Sequence, residues 1–212
     1  MTRFRAFSRY TWLIRATRYA FLAFYALCLA PWESWVENVR EKTYLCTMLI
    51  TLTGFMGSGK SSVGRIVADA LGCPFLDLDE LIVKKAGRSI PDIFAAEGEA
   101  GFRRQEKQML EQTVSRYAEN TAVLALGGGT VTVPGAVDLL QEKTLCIYLQ
   151  ASFETLQSHL EGQRAGRPLA DEGMQERLAA RLPFYEKAAH VVIDTDGLTP
   201  EEIADEIIIS CL

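Results

Sequence analysis

The stretch "TLTGFMGSGKSSVG", Thr51 to Gly64, fits the spacing G-x-x-x-x-G-K-[ST], with Gly54, Gly59, Lys60 and Ser61 at the fixed positions. Just before it, "MLITL" is an apolar run of strand length. Just after it, "SSVGRIVADAL" spaces Val63, Ile66, Val67 and Leu71 along one helical face. A loop between a buried strand and a helix can turn its main-chain N–H groups inward around a phosphate. Gly57 and Gly59 supply the backbone freedom for that turn, and the positive end of the helix adds to the attraction. Lys60 is expected on the β- and γ-phosphates, and the Ser61 hydroxyl in the shell of a Mg²⁺ ion.

Working outward, the chain alternates strand and helix from Met48 on. "CPFLDLDE", "VLALGGGT", "TLCIYLQ" and "HVVIDTD" read as four further strands with helical stretches between them. That order predicts a parallel five-stranded sheet covered by helices on both faces, with ligands gathered at the carboxyl ends of the strands. At one such end stand Asp77 and Asp79, whose spacing in an extended chain points both to one face and Leu76 and Leu78 to the other. Two carboxylates beside a phosphate loop suit metal placement and proton acceptance, while the plainer reading makes Asp79 the cap of the helix "DELIVKKAG". A helix starting at Ser89 or Pro91 is broken at Gly98, and the longer helix after it carries Arg103, Arg104 and Glu106. An arginine directly after Phe102 either lies in solvent or forks onto the carboxylate of a small substrate. Gly127, Gly128 and Gly129 follow a strand directly, and three glycines in a row suggest a close backbone approach to a ligand rather than a plain turn. The polar run "LEGQRAGRPLADEG", with Arg164 and Arg167, reads as a lid that brings a cation to the phosphates on closure. The helix "MQERLAARLPFYEKAA" follows, with Arg181 two residues before an expected break at Pro183.

Composition narrows the class. With 212 residues, 49% of them hydrophobic, the chain holds one domain and an additional segment, and disorder of the whole is excluded. Cys28, Cys46, Cys73, Cys146 and Cys211 form no C-x-x-C pair, so neither a zinc site nor a disulfide framework is indicated, and a reducing compartment is expected. His159 and His190 lack metal-ligand spacing. Of 22 Lys/Arg and 27 Asp/Glu, the first 47 residues hold seven and three, which leaves fifteen and twenty-four in residues 48–212. A body that acidic does not bind nucleic acid generally, and an anionic ligand must be held by a few placed arginines.

Residues 1–47 differ from the rest. Arg3, Arg5, Arg9, Arg15 and Arg18 precede "YAFLAFYALCLAPW", and no acid occurs before Glu33. The pattern admits a targeting segment, a basic helix lying on a membrane, an ordered accessory helix, or a segment with no role in the mature protein. In the last case Met48 is the working start. The apolar run is shorter than the ~18 to 20 residues that span a bilayer.

Six segments in order, "GFMGSGKSSVG", "FLDLDELI", "GRSIPDIFAAEGEAGFRRQE", "LGGGTV", "GRPL" and "RLPFYEKAA", resemble the shikimate kinase family, in the nucleoside-monophosphate-kinase-like branch of P-loop proteins. The resemblance implies an α/β, three-layer αβα P-loop kinase over residues 48–212, with a substrate segment at about 79–117, a lid at about 161–173, and residues 1–47 as a helical or disordered extension. It implies ATP-dependent phosphorylation of the shikimate 3-hydroxyl on the route to chorismate, in the cytoplasm, by a monomer that uses Mg²⁺. By the same resemblance Gly57, Ser58, Gly59, Lys60, Ser61 and Ser62 bind the ATP phosphates. Ser61 and Asp77 serve the metal, and Asp79 binds the substrate hydroxyls and acts as base. Arg103 and Arg181 grip the carboxylate, Gly127 to Gly129 form the substrate-side turn, and Arg167 is the lid arginine on ATP. The chain departs from the family at "SHLEGQ", where an adenine-stacking arginine often lies and His159 and Arg164 are the nearest candidates, and at Leu198, where a polar residue is common. The rival activities are a kinase for another small hydroxy acid such as gluconate, from which "FLDLDELI" differs by lacking a His-Pro pair, and a non-catalytic nucleotide-binding module.

Overall fold

The computed structural model describes residues 48–161 and 173–211. The extension 1–47 and most of the expected lid, with Arg164 and Arg167, lie outside the described residues.

The loop-bearing strand β1 (Leu49–Thr53) is buried at every residue. It lies at the centre of a parallel sheet with β2 (Phe75–Asp77), β3 (Ala122–Ala125), β4 (Leu145–Gln150) and β5 (Val191–Asp194), in the order β2-β3-β1-β4-β5. A strand covered on both faces reads as a continuous apolar run, which "LITLT" supplies apart from its two threonines. Of these, Thr51 Oγ1 meets Thr144 Oγ1 at 3.0 Å. Because β3 and β4 flank β1 on opposite sides, the chain departs from the carboxyl ends of these strands in different directions. The phosphate loop therefore opens into a crevice at that edge.

Alternation along β1 divides the interior into two cores. Ile50 and Leu52 pack with Val63 and Val67 of α1 (Lys60–Leu71) and Ile203 and Ile207 of α7 (Pro200–Cys211). Leu49 faces the other side, where Leu78 and Ile82 of α2 (Leu78–Ala86), Phe102 and Leu110 of α3 (Ile90–Arg116), Leu140 of α4 (Ala136–Lys143) and Tyr185 of α6 (Met174–Ala188) close the layer. The expected three-layer αβα architecture is thus present, completed by α5 (Phe153–Glu161).

Three local readings change. The second strand ends at Asp77 rather than running through Asp79, because the Asp77 carboxylate accepts from the Asp79 and Glu80 N–H groups at 3.0 and 3.4 Å and starts α2. Asp77, not Asp79, is therefore the cap, and the two carboxylates are not related by strand alternation. Pro183 does not break its helix: α6 runs through it. Gly98, in contrast, kinks α3 as expected, at φ 68° and ψ −178°, and Ser89 caps that helix in a reciprocal capping box with Asp92.

Candidate active site

In the phosphate loop Gly57 and Gly59 adopt φ of 85° and 82°, left-handed conformations that cost a side-chain-bearing residue energy. Gly59 caps α1 without offering a side-chain acceptor, so the first-turn N–H groups, including those of Ser61 and Ser62, are left to an anion. Lys60 is buried, and its Nζ donates to Gly54 O at 2.9 Å, Phe55 O at 2.7 Å and Ser58 Oγ at 3.3 Å. The ammonium is thus held inside the loop by the loop's own acceptors. Ser61 Oγ donates to Asp77 Oδ2 at 2.9 Å, which brings the two expected metal residues together.

The glycine turn after β3 touches three walls. A Cβ at Gly127 would lie 3.0 Å from Glu106 Oε1 and 3.1 Å from Asp79 Oδ1. At Gly128 it would meet the Met56 main-chain N at 3.3 Å, and at Gly129 both Arg103 Nη atoms at 2.7 Å. None of the three has a positive φ, so crowding by these groups, not backbone conformation, explains the absence of side chains. From the far side, Arg181 Nη1 donates to Gly128 O at 3.2 Å, and the Arg181 guanidinium lies 5.7 Å from the centre of the Phe55 ring.

Asp79 faces this turn in a largely buried setting. Burial pushes its carboxyl up to about 6, and the charges of Asp77 and Glu106 push the same way, while Lys60 and Arg103 act against them. A carboxylate with that affinity is mostly ionised at neutral pH yet accepts a proton readily. Burial disfavours the charge on Arg103, but the Glu106 carboxylate beside it and Glu99 offset this and hold the guanidinium protonated.

Sequence reasoning gave no role to two residues of this cluster. Glu106 is buried, accepting from Arg103 Nη1 at 2.7 Å and from Thr130 Oγ1 at 2.6 Å. Its signal was available: it falls on the buried face of α3 with Phe102, Met109, Leu110 and Thr113, where an unpaired carboxylate would not be tolerated. Tyr185, one turn beyond Arg181, also donates to Gly128 O. At the phosphate loop, His159 Nδ1 lies 2.9 Å from Gly57 O, and the Leu160 side chain packs beside Gly57, so the end of α5 is seated on the loop. Leu198 is exposed after β5.

Comparison with known proteins points one way. The family model described as shikimate kinase matches residues 56–212. The shikimate kinase of Enterococcus faecalis is 43% identical over 164 residues, covering 75% of this chain and 95% of that one. That of Streptococcus gordonii is 45% identical over 166 residues, covering 76% and 98%. Among solved structures, the shikimate kinase of Acinetobacter baumannii in complex with shikimate superposes with a TM-score of 0.71 at 34% identity, covering 79% of this chain and 94% of that one. A gluconokinase from Sinorhizobium meliloti, at TM-score 0.52 and 20% identity over 78% of this chain and 91% of that one, shares the fold alone.

Proposed function

The chain belongs to the shikimate kinase family, and from that membership we infer that it transfers the γ-phosphoryl group of ATP to the 3-hydroxyl of shikimate, releasing ADP and shikimate 3-phosphate. The observation that carries this reading at the level of the site is the placement of Asp79. Its carboxylate faces Gly127, close enough to Lys60 of the phosphate loop and to Arg103 of α3 to feel both charges.

In this reading the substrate hydroxyl attacks the γ-phosphorus in line, the bond to the β–γ bridging oxygen breaks, and Asp79 takes the hydroxyl proton. Gly57, Ser58, Gly59, Lys60, Ser61 and Ser62 cradle the phosphates, and the Lys60 ammonium exchanges carbonyl partners for phosphate oxygens. Arg103 and Arg181 fork onto the shikimate carboxylate against the Gly127 to Gly129 turn, and Arg167 reaches the ATP phosphates from the lid. The Ser61 hydroxyl and Asp77 carboxylate, 2.9 Å apart, are hard oxygen donors of the kind that Mg²⁺ takes, and they would hold it. When bound, that ion neutralises charge on the β- and γ-oxygens.

We place the enzyme in the cytoplasm, where ATP is held and scattered cysteines stay reduced. Among the described residues no helix is long and apolar enough to cross a membrane. It acts as a monomer, since one chain supplies the loop, Asp79 and both arginines. The deciding assay is ADP release coupled to a reporter, with shikimate, with gluconate and with neither. Release that depends on shikimate is expected, and release driven by gluconate, or by neither acid, overturns the reading.

A further inference from the structure

Tyr185 is fully buried in α6, and its ring stacks on Tyr148 of β4 at 5.1 Å between centroids and 16° between planes. Its hydroxyl donates to Gly128 O, the same carbonyl that accepts from Arg181 Nη1 at 3.2 Å. A carbonyl oxygen has two lone pairs, so the pair of donors satisfies it completely. Burial raises the Tyr185 hydroxyl well above the usual phenol range, with Arg181 acting against that, so the group stays a donor throughout the physiological range.

The two donors are not equivalent. Arg181 sits on a partly exposed face of α6, and its Nη1 is held by Gly128 O, so a carboxylate that engages that edge of the guanidinium competes with the carbonyl for it. Tyr185 is clamped by its stack and cannot leave. We propose that Tyr185 is a positioning residue for the acid-binding side of the site: its hydroxyl holds the Gly128–Gly129 peptide and keeps the Gly128 carbonyl satisfied while Arg181 turns to the substrate. This rests on the carboxylate role assigned above to Arg181. Two physical consequences support it. A part-buried carbonyl stripped of its last donor is penalised, and without Tyr185 that penalty would oppose every departure of Arg181 and so weaken substrate binding. The Gly128–Gly129 peptide is trans, so the Gly129 N–H lies anti to the Gly128 carbonyl, and anchoring the carbonyl toward α6 fixes that donor on the opposite side of the turn.

The test is a double-mutant cycle of Tyr185→Phe and Arg181→Ala, read by calorimetric shikimate affinity, the KM values of shikimate and ATP, and thermal midpoint. Phe keeps the ring stack and removes only the hydroxyl. Tyr185→Phe is expected to weaken shikimate binding by about 3- to 10-fold, with ATP KM within about twofold of the unchanged protein. In the Arg181→Ala background the same substitution should change shikimate affinity by less than about twofold, because no guanidinium remains to be released. Unaltered shikimate affinity in Tyr185→Phe overturns the proposal. So does an equal loss in both backgrounds, or a fall in shikimate and ATP affinity together with a lowered thermal midpoint, which assigns the hydroxyl to folding. Shikimate-dependent ADP release by the unchanged protein is measured in the same preparation. Its absence strikes the functional reading, whereas its presence beside an unaltered Tyr185→Phe strikes Tyr185 alone.

Discussion

Arg103 and Glu106 form an ion pair 2.7 Å long in which the carboxylate side chain is 1% exposed and the guanidinium 23% exposed. The pair is one helical turn of α3, and Thr130 Oγ1 holds the second carboxylate oxygen at 2.6 Å. The guanidinium is therefore locked against the Gly129 main chain with one edge committed to Glu106. A buried charge that loses its partner is costly, so Glu106→Ala should lower stability by about 3 kcal/mol and raise shikimate KM, while Glu106→Gln does less of both. Chemical denaturation and steady-state kinetics check the two effects side by side.

On the substrate side, Arg103→Ala and Arg181→Ala should each raise shikimate KM by at least about tenfold with little change in ATP KM, and Lys should restore only part because it lacks the planar fork. Gly129→Ala provides an independent check. Its Cβ would fall 2.7 Å from both Arg103 Nη atoms, so the guanidinium must move and shikimate KM should rise several-fold, about 3- to 10-fold, at unchanged ATP KM. Losses that appear on ATP instead would assign the arginines to the nucleotide.

Asp79 sets a pH dependence. As base it must be ionised, so kcat/KM should fall as pH drops through about 6, the value to which burial raises it. The stability sign is opposite to that of an ion-paired carboxylate. With the folded value above the unfolded one, the cost of burying the charge is fully present above pH 6 and is relieved as pH falls toward 4, because the folded state takes the proton first. Asp79→Asn should thus be nearly inactive yet more stable at pH 8, by about 1–3 kcal/mol, an advantage that shrinks by pH 4. Melts of both proteins at the two pH values measure it, and a variant less stable than the parent at pH 8 contradicts the assignment.

Lys60→Ala should lower kcat by about two orders of magnitude or more, since the ammonium meets charge that grows toward the transition state. Its three acceptors lie within the loop, so circular dichroism should report an unchanged fold. Near-normal turnover would remove the loop from the chemistry.

A chain of residues 48–212 should fold and phosphorylate shikimate as well as the full protein. The strands and cores described above draw on residues from Leu49 onward, and the family match begins at residue 56. Aggregation or lost turnover on truncation would make residues 1–47 part of the enzyme.

The turn of the phosphate loop was legible because the contacts that hold Lys60 inside it are local. Lys60 reaches acceptors only two to six positions away, and the glycines that permit the turn lie in the same stretch. The five strands, the helices between them and the kink at Gly98 were legible for a related reason: apolar periodicity and glycine conformation act over a few residues.

The side of the site around the glycine turn, to which we assign the substrate acid, is different in kind. There the partners are Glu106 with Thr130, 24 positions apart, and Gly128 with Arg181 and Tyr185, 53 and 57 positions apart. Sequence determined which cations and glycines the chain owns. Only the tertiary structure decided that a carboxylate on the apolar stripe of α3 would be paired, and that the three glycines would be crowded by Asp79, Glu106, Arg103 and the Met56 main chain rather than shaped by their own φ. It also decided the division between Asp77 and Asp79, because a strand continues or yields to a helix according to whether a side chain satisfies the first free N–H groups. Here Asp77 does so at 3.0 and 3.4 Å, an outcome that spacing alone left open.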